Sequence, residues 1–442
     1  MGSIGRRPTR RQKRHVLIIV ENLPVPFDTR VWQEARALST NGYHVSVICP
    51  VGKGYEKRRE TLDGIDIYRH PAPVEARGAA GYLLEYSTAL FWQLALAIRL
   101  FARHPFDVLH ACNPPDTIFI VAALFKFLFA TRFVFDHHDL CPELYEAKFG
   151  KRNLVYRLLV ALERLTFLLA DLTIATNESY RQIALERGRM APERAAVVRS
   201  GPDMTRLRIV PSDPTLKRGK RFLVSYIGVM GNQEGINYLI EAAHHLIHRL
   251  GRHDIHFGLV GGGPELERLK RQVRSLELDP YFTFTGRVPD DALLAMTNSA
   301  DLCVNPDESN TMNDKSTMNK IMEYMALGKP IVQFDLTEGR VSASEASVYA
   351  RPNDPVDLAA KIVELLDDPD RRQRMGAFGR WRIETSLAWH HQAPKLLAAY
   401  DQLWQRPVRL AHRSWSSRPH HYRGGLLALH KRSATTEIQN DD

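Results

Sequence analysis

Short apolar runs alternate with amphipathic helical segments along most of the chain, and this alternation constrains the fold more than any single motif does. Continuous apolar runs of about four to eight residues are typical of parallel strands that are covered by helices on both faces. The sequence therefore predicts an α/β protein with doubly wound sheets. The runs in the first half are HVLIIV, HVSVIC, DVLH, FVFD, LTIAT and AAVVR, which begin at residues 15, 44, 107, 133, 172 and 195.

The alternation stops in a polar stretch with two prolines and a glycine, and it restarts with FLVSYIG at residue 222. Such a stretch is typical of a linker. Because ligands bind at the carboxyl ends of parallel strands, the cleft between two such halves is the predicted binding site. We predict an N-terminal Rossmann-like domain (15–205), a linker (206–220), a C-terminal Rossmann-like domain (221–385) and a terminal helix (386–405).

The formal charge of +10 is concentrated at the two ends of the chain. Residues 1–14 carry six basic side chains and no acid, and residues 406–442 carry seven basic and three acidic ones, so the middle is nearly neutral. A neutral body argues against a nucleic-acid groove on the fold. We predict solvated, disordered tails whose charge favours weak, unspecific contact with anionic lipid or nucleic acid.

The four cysteines lie far apart, without a Cys-x-x-Cys spacing. This pattern argues against a zinc site or a disulfide framework and predicts a reducing compartment, the cytoplasm. The basic start of the chain leads into a strand-like run instead of a signal-peptide pattern. The longest apolar runs are shorter than the roughly 18 residues that a membrane span needs.

Two glycine-containing segments of the second half suit an anionic ligand. In FGLVGGGPELERL, three glycines from Gly261 to Gly263 follow a strand, and Pro264 is predicted to begin a helix whose free N–H groups face an anion. A simple tight turn explains the same residues. In DKSTMNKIMEYMALG, Ser316 or Thr317 is predicted to cap a helix that ends before Gly328.

Lys320 and Glu323 are three residues apart on one face of that predicted helix. A surface ion pair is the simpler interpretation. Apolar residues flank this face, however, and a partly buried Lys and Glu beside a glycine-rich turn suit a ligand with hydroxyls and phosphates.

The segment KIMEYMALGKPIV, residues 320–332, resembles the donor-binding motif of glycosyltransferase family 4, whose members are retaining enzymes with the GT-B fold. The resemblance covers roughly residues 15–400 and continues in YIGVMGNQEGINYLIEA, LVGGGPELERLK and FTFTGRVPDDALLAMTNSADLCVNP. It implies two Rossmann-like domains that face each other across a cleft. It also implies transfer of a sugar from a UDP- or GDP-linked donor to a glycan or lipid-linked glycan, with retention of configuration, in cell-envelope or exopolysaccharide synthesis.

By this resemblance, Glu323 binds the ribose hydroxyls of the donor, Lys320 approaches its phosphates, and the backbone at Arg287 and Val288 meets the base. The terminal helix is implied to cross back to the first domain. The remaining residues expected on the donor side are Lys315, Ser316, Gly228, Gly231, Gly262 and Gly263.

The first half resembles the family in FDTRVWQEARALSTNGYHVSVICP, FDVLHACNPPDTI and FVFDHHDLCPELYEAKFG. The resemblance places Asp28, Arg30 and Asn113 on the acceptor or diphosphate side of the cleft. It places His138 beside the reacting sugar, with His137 as the adjacent catalytic candidate.

The chain departs from the family pattern at two places. Lys315 stands where many members carry a second glutamate, and the loop Val229–Glu234 contains no base where many carry an Arg and a Lys. Neutralisation of the donor phosphates is then expected from Lys320, Lys315, Arg30 and backbone N–H groups. Arg30 fits a structural ion pair equally well.

Other functions remain open from the residues alone. The sequence DHHD at 136–139 contains metal-ligand types, but consecutive strand residues point to opposite faces, so we predict no required metal and no cofactor besides the donor. A UDP-sugar 2-epimerase would need further carboxylates in the cleft. A protein that binds nucleic acid through its tails is the non-enzymatic alternative.

Two apolar helical segments edged with arginine, 81–104 and 151–169, are consistent either with core helices or with peripheral contact to the inner face of the plasma membrane. A membrane contact would suit a lipid-linked acceptor.

Overall fold

The computed structural model describes residues 13–72 and 78–408, and the side chains of residues 78–84 are not part of this description. The predicted α/β fold with two doubly wound halves is confirmed, because each half contains a largely parallel sheet with helices on both faces. Apart from Lys13, Arg14 and residues 406–408, the predicted basic tails lie outside the described residues.

The first sheet has eight strands in the order β3-β4-β2-β1-β5-β6-β7-β8. Its strands are β1 His15–Ile19, β2 His44–Pro50, β3 Arg59–Leu62, β4 Ile65–His70, β5 Val108–Cys112, β6 Arg132–His137, β7 Leu172–Ala175 and β8 Ala195–Val197. The helices are α1 Thr29–Thr40, α2 Gly78–Arg103, α3 Phe119–Phe129, α4 Cys141–Phe149, α5 Leu154–Leu169 and α6 Glu178–Glu186.

The second sheet has six parallel strands in the order β11-β10-β9-β12-β13-β14. Its strands are β9 Phe222–Ile227, β10 Ile255–Val260, β11 Phe282–Phe284, β12 Leu302–Asn305, β13 Ile331–Phe334 and β14 Ser347–Ala350. The helices are α7 Ile236–His244, α8 Leu266–Ser275, α9 Asp290–Ser299, α10 Asn319–Ala326, α11 Thr337–Ala343, α12 Pro355–Leu366, α13 Pro369–Arg382 and α14 Trp389–Gln405.

Helix α14 returns to the first half. Its residues Leu396, Tyr400 and Leu403 are buried in the same core cluster as residues of α1, β1 and β2. The hydroxyl of Tyr400 lies 2.8 Å from Nδ1 of His110 on β5, and the indole of Trp404 donates to the hydroxyl of Tyr43 at 2.8 Å. The C-terminal helix therefore contributes to the core of the N-terminal half.

The antiparallel hairpin β3–β4 at the edge of the first sheet is absent from the sequence prediction. Its turn residues Asp63 and Gly64 both have positive φ, +49° and +76°, which is the geometry that an Asp-Gly hairpin turn adopts. Ile65 and Ile67 then alternate with half-buried residues along β4. The Asp-Gly pair followed by this alternation was the signal that could have revealed the hairpin.

Within the described residues, no helix is long and apolar enough to cross a membrane. All four cysteines are buried as free thiols.

Candidate active site

A cavity of about 410 Å³ opens between the two halves. Phe27, Arg30 and Tyr55 line it from the first half, and Asp290 and Glu323 line it from the second. Arg30 lies in the first turn of α1, the helix that follows β1, and Glu323 lies on α10, which follows β12. The cavity is therefore at the carboxyl ends of the strands of both sheets, where ligands bind in folds of this kind.

Several contacts join the two halves around this cavity. The guanidinium of Arg287 lies 4.4 Å from the ring centroid of Phe27, and Arg199 pairs with Glu338 at 3.2 Å. Asn177, at the N-cap of α6, donates to the hydroxyl of Thr317 at 2.9 Å. The contact of Asn177 holds the loop before α10 against the first half.

Glu323 is half-buried and turns toward the cleft. Its Oε1 lies 3.4 Å from Nη1 of Arg206, and Arg206 also holds Asp290 through two hydrogen bonds of 2.7 and 2.9 Å. Burial raises the pKa of Glu323, and the positive charge of Arg206 partly opposes this shift. Arg206 lies in the segment predicted as linker, and nothing in the sequence pattern signalled its position in the cleft.

Helix α10 begins later than predicted, at Asn319, and its N-cap residue Met318 makes no side-chain cap. The predicted caps at Ser316 and Thr317 are wrong, because both hydroxyls are engaged with other residues. Ser316 donates to Met312 O at 2.8 Å and lies 2.9 Å from the hydroxyl of Tyr180, while Thr317 accepts from Asn177. Gly328 follows the helix with a φ of +67°.

Lys320 is buried and pairs with carboxylates other than that of Glu323. Its Nζ lies 2.6 Å from both Glu234 Oε2 and Asp307 Oδ1. Burial alone would lower the pKa of Lys320, but Asp307 and the other neighbours raise it well above its ordinary value. In this conformation two carboxylates hold the ammonium group that the resemblance places near the donor phosphates. Lys315 differs, since its Nζ forms no ion pair with any residue of the described ranges.

The glycines after β9 and β10 allow two loops to lie against each other. A Cβ on Gly261 would lie 1.9 Å from Gly228 O, and a Cβ on Gly263 would lie 2.5 Å from Met230 O. Gly228 itself has a φ of +147° and faces the hydroxyl of Tyr226. Around Gly262 there is open space, and Gly231 borders Gln233. Helix α8 starts at Leu266, two residues after the predicted Pro264.

Arg30 forms the centre of a buried polar cluster beneath the cleft. Its guanidinium pairs with Asp136 at 2.8 Å and with Glu34 at 3.1 Å, and it donates to Val198 O at 2.9 Å. Asp28 instead caps α1 by accepting from Val31 N. The structural ion pair that the sequence left open for Arg30 is therefore present, with Asp136 and Glu34 as the partners.

His138 lies at the edge of this cluster, with 15% of its side chain exposed. Its Nε2 contacts the carboxylate of Asp136 and lies 2.9 Å from Nε of Arg30. Asn113 accepts from the backbone N–H groups of His138 and Asp139 at 2.7 and 3.2 Å, so it fixes the loop after β6. Asn113 thus fixes the backbone position of His138.

His137, the last residue of β6, does not line the cleft, which corrects its expected place as the adjacent catalytic candidate. Its ring is fully buried among Phe135, Phe167 and Tyr180. The side chain of His138, from the loop after β6, instead contacts Asp136 and Arg30. Of the pair, His138 is the one that borders the cleft cluster.

Four buried side chains, Glu34, His110, Cys112 and Asp136, bring potential metal-ligand atoms within 4.8 Å of one another. Burial lowers the pKa of His110 and raises that of the Cys112 thiol well above its usual range. The guanidinium of Arg30 already supplies a positive charge to both carboxylates. These four side chains therefore fit an internal cluster around the charge of Arg30 better than a metal-binding site.

The two-sheet architecture with its central cleft is that of the GT-B glycosyltransferases. The family described as "Glycosyl transferase 4-like domain" matches residues 28–201, and the one described as "Glycosyl transferases group 1" matches residues 221–368. Together the two matches cover most of the chain, which belongs to glycosyltransferase family 4.

Solved structures share this fold at low sequence identity. Sucrose-phosphate synthase from Thermosynechococcus elongatus superposes with a TM-score of 0.73 at 18% identity, over 89% of this chain and all of that one. HepE from Anabaena, solved with UDP-glucose, gives a TM-score of 0.66 at 16% identity, over 88% of this chain and 99% of that one.

Curated relatives match over shorter stretches. A 2-deoxystreptamine glucosyltransferase from Streptomyces kanamyceticus is 26% identical over 53% of this chain and 61% of its own length. A GDP-mannose-dependent phosphatidylinositol monomannoside mannosyltransferase from Mycobacterium tuberculosis is 30% identical over 31% of this chain and 37% of its own. In both cases the match spans less than two thirds of the relative.

Proposed function

We propose that the protein transfers a sugar from a nucleotide-diphosphate donor to a glycan or lipid-linked glycan, with retention of configuration. The observation that carries this proposal is the half-buried Glu323 in a polar cleft between two Rossmann-like halves. A carboxylate that accepts two hydroxyl hydrogen bonds suits the ribose of a nucleotide. The family membership favours this function over the epimerase and the nucleic-acid-binding alternatives.

The donor is proposed to be a UDP- or GDP-linked sugar. HepE was solved with UDP-glucose, and the mycobacterial relative is GDP-mannose-dependent. As the sugar–phosphate bond breaks, positive charge grows on the ring and negative charge on the diphosphate. Basic groups and backbone N–H donors at the diphosphate stabilise that charge. Lys315, Lys320 and the open backbone at Gly262 are the candidates on the donor side.

His138 is the proposed catalytic residue of the cleft. Asp136 contacts its ring, and Asn113 accepts a hydrogen bond from its backbone N–H. A side chain fixed beside the anomeric carbon lowers the barrier by positioning the reactants. We propose that the reaction needs neither a metal nor a cofactor, since the guanidinium of Arg30 already pairs with both Glu34 and Asp136 beneath the cleft. The proposed setting is the cytoplasmic face of the plasma membrane, in cell-envelope or exopolysaccharide synthesis.

A thermal-shift screen with UDP, GDP and their sugars tests the proposal. We expect at least one nucleotide to raise the melting temperature. Glu323→Ala should remove that shift, whereas the matched change Asp291→Ala should retain it, because Asp291 is exposed and pairs only with Arg208 in the described residues. An unchanged melting temperature with every nucleotide would contradict the proposed function.

A further inference from the structure

A second cavity, of about 340 Å³, lies on the first half between the β3–β4 hairpin and α2. Five arginines line it together with aromatic and aliphatic side chains of α2, among them Trp92 and Leu96. We call this cavity the arginine groove. Its arginines are Arg58, Arg59, Arg69, Arg99 and Arg103.

Most of this positive charge is not neutralised. Arg69 pairs with Glu60 at 2.5 Å, but none of the other four arginines forms an ion pair with any residue in the described ranges. Arg59 lies over the ring of Tyr68 at 5.2 Å. Four like charges around one concave surface repel one another, and a bound anion with several oxygens would relieve that repulsion.

Next to the arginine groove, the outer layer of the first half exposes many large apolar side chains. Helices α2, α3 and α5 cover the same face of the sheet. Their outward sides carry exposed aromatic and aliphatic residues, which soluble surfaces seldom gather in such number. We call these side chains the apolar layer: Phe91, Trp92 and Ile98 on α2; Ile120, Leu124, Phe127, Leu128 and Phe129 on α3; and Leu154, Val155, Leu158, Leu165 and Leu168 on α5.

The charges of this layer have one sign. In α3, in α5 and in the part of α2 whose side chains are described, every exposed charged residue is an arginine. They are Arg99, Arg103, Arg157 and Arg164. Apolar side chains framed by arginines match a surface of acyl chains beneath phosphate headgroups, whereas a soluble anion would gain nothing from the apolar layer.

We propose that the arginine groove binds the phosphate groups of anionic phospholipids while the apolar layer rests on the bilayer. This inference locates the membrane contact that the proposed function includes. The lipid contact itself is argued from the surface, and only its biological use rests on the proposed function. Tyr55 links the two sites, because it lines the cleft and lies 5.7 Å from the guanidinium of Arg69. A protein docked in this way would hold the acceptor side of its cleft close to the membrane surface.

Flotation of the full chain with vesicles of phosphatidylglycerol and phosphatidylcholine tests the proposal. Binding should require phosphatidylglycerol and weaken as salt is raised. Arg99→Glu with Arg103→Glu should lower the vesicle affinity at least tenfold. The control is Arg271→Glu with Arg274→Glu on α8, which makes the same charge change on exposed arginines of the other half and should have little effect. Equal losses in both double variants would assign binding to net charge or to the basic ends, and would overturn the proposal.

The apolar layer is tested separately. Leu128→Glu should reduce vesicle binding, whereas Val341→Glu, at an exposed apolar residue of the second half, should not. A melting temperature raised by inorganic phosphate, without vesicle binding, would mean a soluble-anion site and contradict the proposal.

Nucleotide-induced stabilisation is measured on the same samples. If it is retained while vesicle binding is absent, only the membrane inference fails; the reverse result removes the proposed function alone.

Discussion

The Nζ atom of Lys320 lies 2.6 Å from a carboxylate oxygen of Glu234, so the loop after β9 supplies an acid to the lysine expected at the donor phosphates. Asp307 holds the same ammonium group from the other side. Because Asp307 is almost fully buried and Glu234 is more exposed, Glu234 is the partner that a bound diphosphate can replace more easily.

Glu234→Gln is therefore expected to tighten the binding of a nucleoside diphosphate. Removing one competing negative charge near the surface is worth on the order of 1 kcal/mol, or about fivefold in the dissociation constant. Calorimetric titration with the nucleoside diphosphate that stabilises the protein, UDP or GDP, and with its free nucleoside separates the phosphate contribution, because only the diphosphate should gain. Glu241→Gln, an exposed change on α7, serves as the control. The same gain for the free nucleoside, or none for the diphosphate, would show that Lys320 does not meet the phosphates.

The fold could be predicted from the sequence because buried parallel strands consist of continuous apolar runs. The edge hairpin and β14 were not predicted. The strand Arg59–Leu62 contains only one apolar residue, and Ser347–Ala350 is a short run without a clear pattern. The partners of the site residues could not be predicted. Glu234 and Lys320 are far apart in sequence, and only the packing of the loop after β9 against α10 brings them together.

The same limit applies to Arg206 and Glu323. The sequence singled out Glu323 through the family motif, but Arg206 stands in a segment whose prolines and polar residues indicate only a linker. Its role depends on the path of that linker past α9 and α10, which no local pattern encodes. Arg206 makes two hydrogen bonds to Asp290 and approaches Glu323.

Arg206→Gln should make nucleotide binding sensitive to mild acid. Burial raises the pKa of Glu323 and Arg206 lowers it, so removing the guanidinium lets the carboxyl take up a proton at a higher pH. A protonated carboxyl is a poorer acceptor for ribose hydroxyls. We expect the affinity of the variant to fall severalfold at neutral pH, and to fall further between pH 7 and pH 5, more steeply than in the wild type. Calorimetry across this range checks the result, with Arg208→Gln as the control because Arg208 pairs only with the exposed Asp291 among the described residues. Parallel pH profiles for wild type and Arg206→Gln would contradict the role assigned to Arg206.

The adjacent histidines give a matched pair for catalysis. His138→Ala should lower kcat at least about tenfold while leaving the dissociation constant of the nucleotide unchanged, because the donor base and ribose are proposed to bind on the other half. His137→Phe should retain most of the activity, since its ring packs among aromatic side chains and Arg187 continues to pair with the nearby Glu163. Steady-state kinetics with separate nucleotide titrations check both variants. A larger kcat loss for the folded His137 variant than for the His138 variant would reverse the assignment.

Glu21 makes the stability of the protein depend on pH. It follows β1 and is buried, and Gln93 on α2 donates from Nε2 to its Oε2 at 3.2 Å. Oε1 of Gln93 has no hydrogen-bond donor among the described residues, so a protonated Glu21 adds a donor beside an acceptor that lacks one. Burial raises the pKa of Glu21 from 4.5 to about 8.

The folded protein therefore keeps a proton that the unfolded chain releases between pH 4.5 and about 8. Its free energy of unfolding should fall as the pH rises through that window. Glu21→Gln replaces the protonated carboxyl with an amide that cannot ionise and that still donates a hydrogen bond. Relative to the wild type, the variant should gain on the order of a few kcal/mol in going from pH 4.5 to pH 8.5. Urea unfolding at these two pH values measures the difference, and Glu186→Gln at an exposed position should show no such gain. A stability difference that stays constant across the window would mean that Glu21 is ionised in the folded protein, and that Gln93 alone compensates its burial.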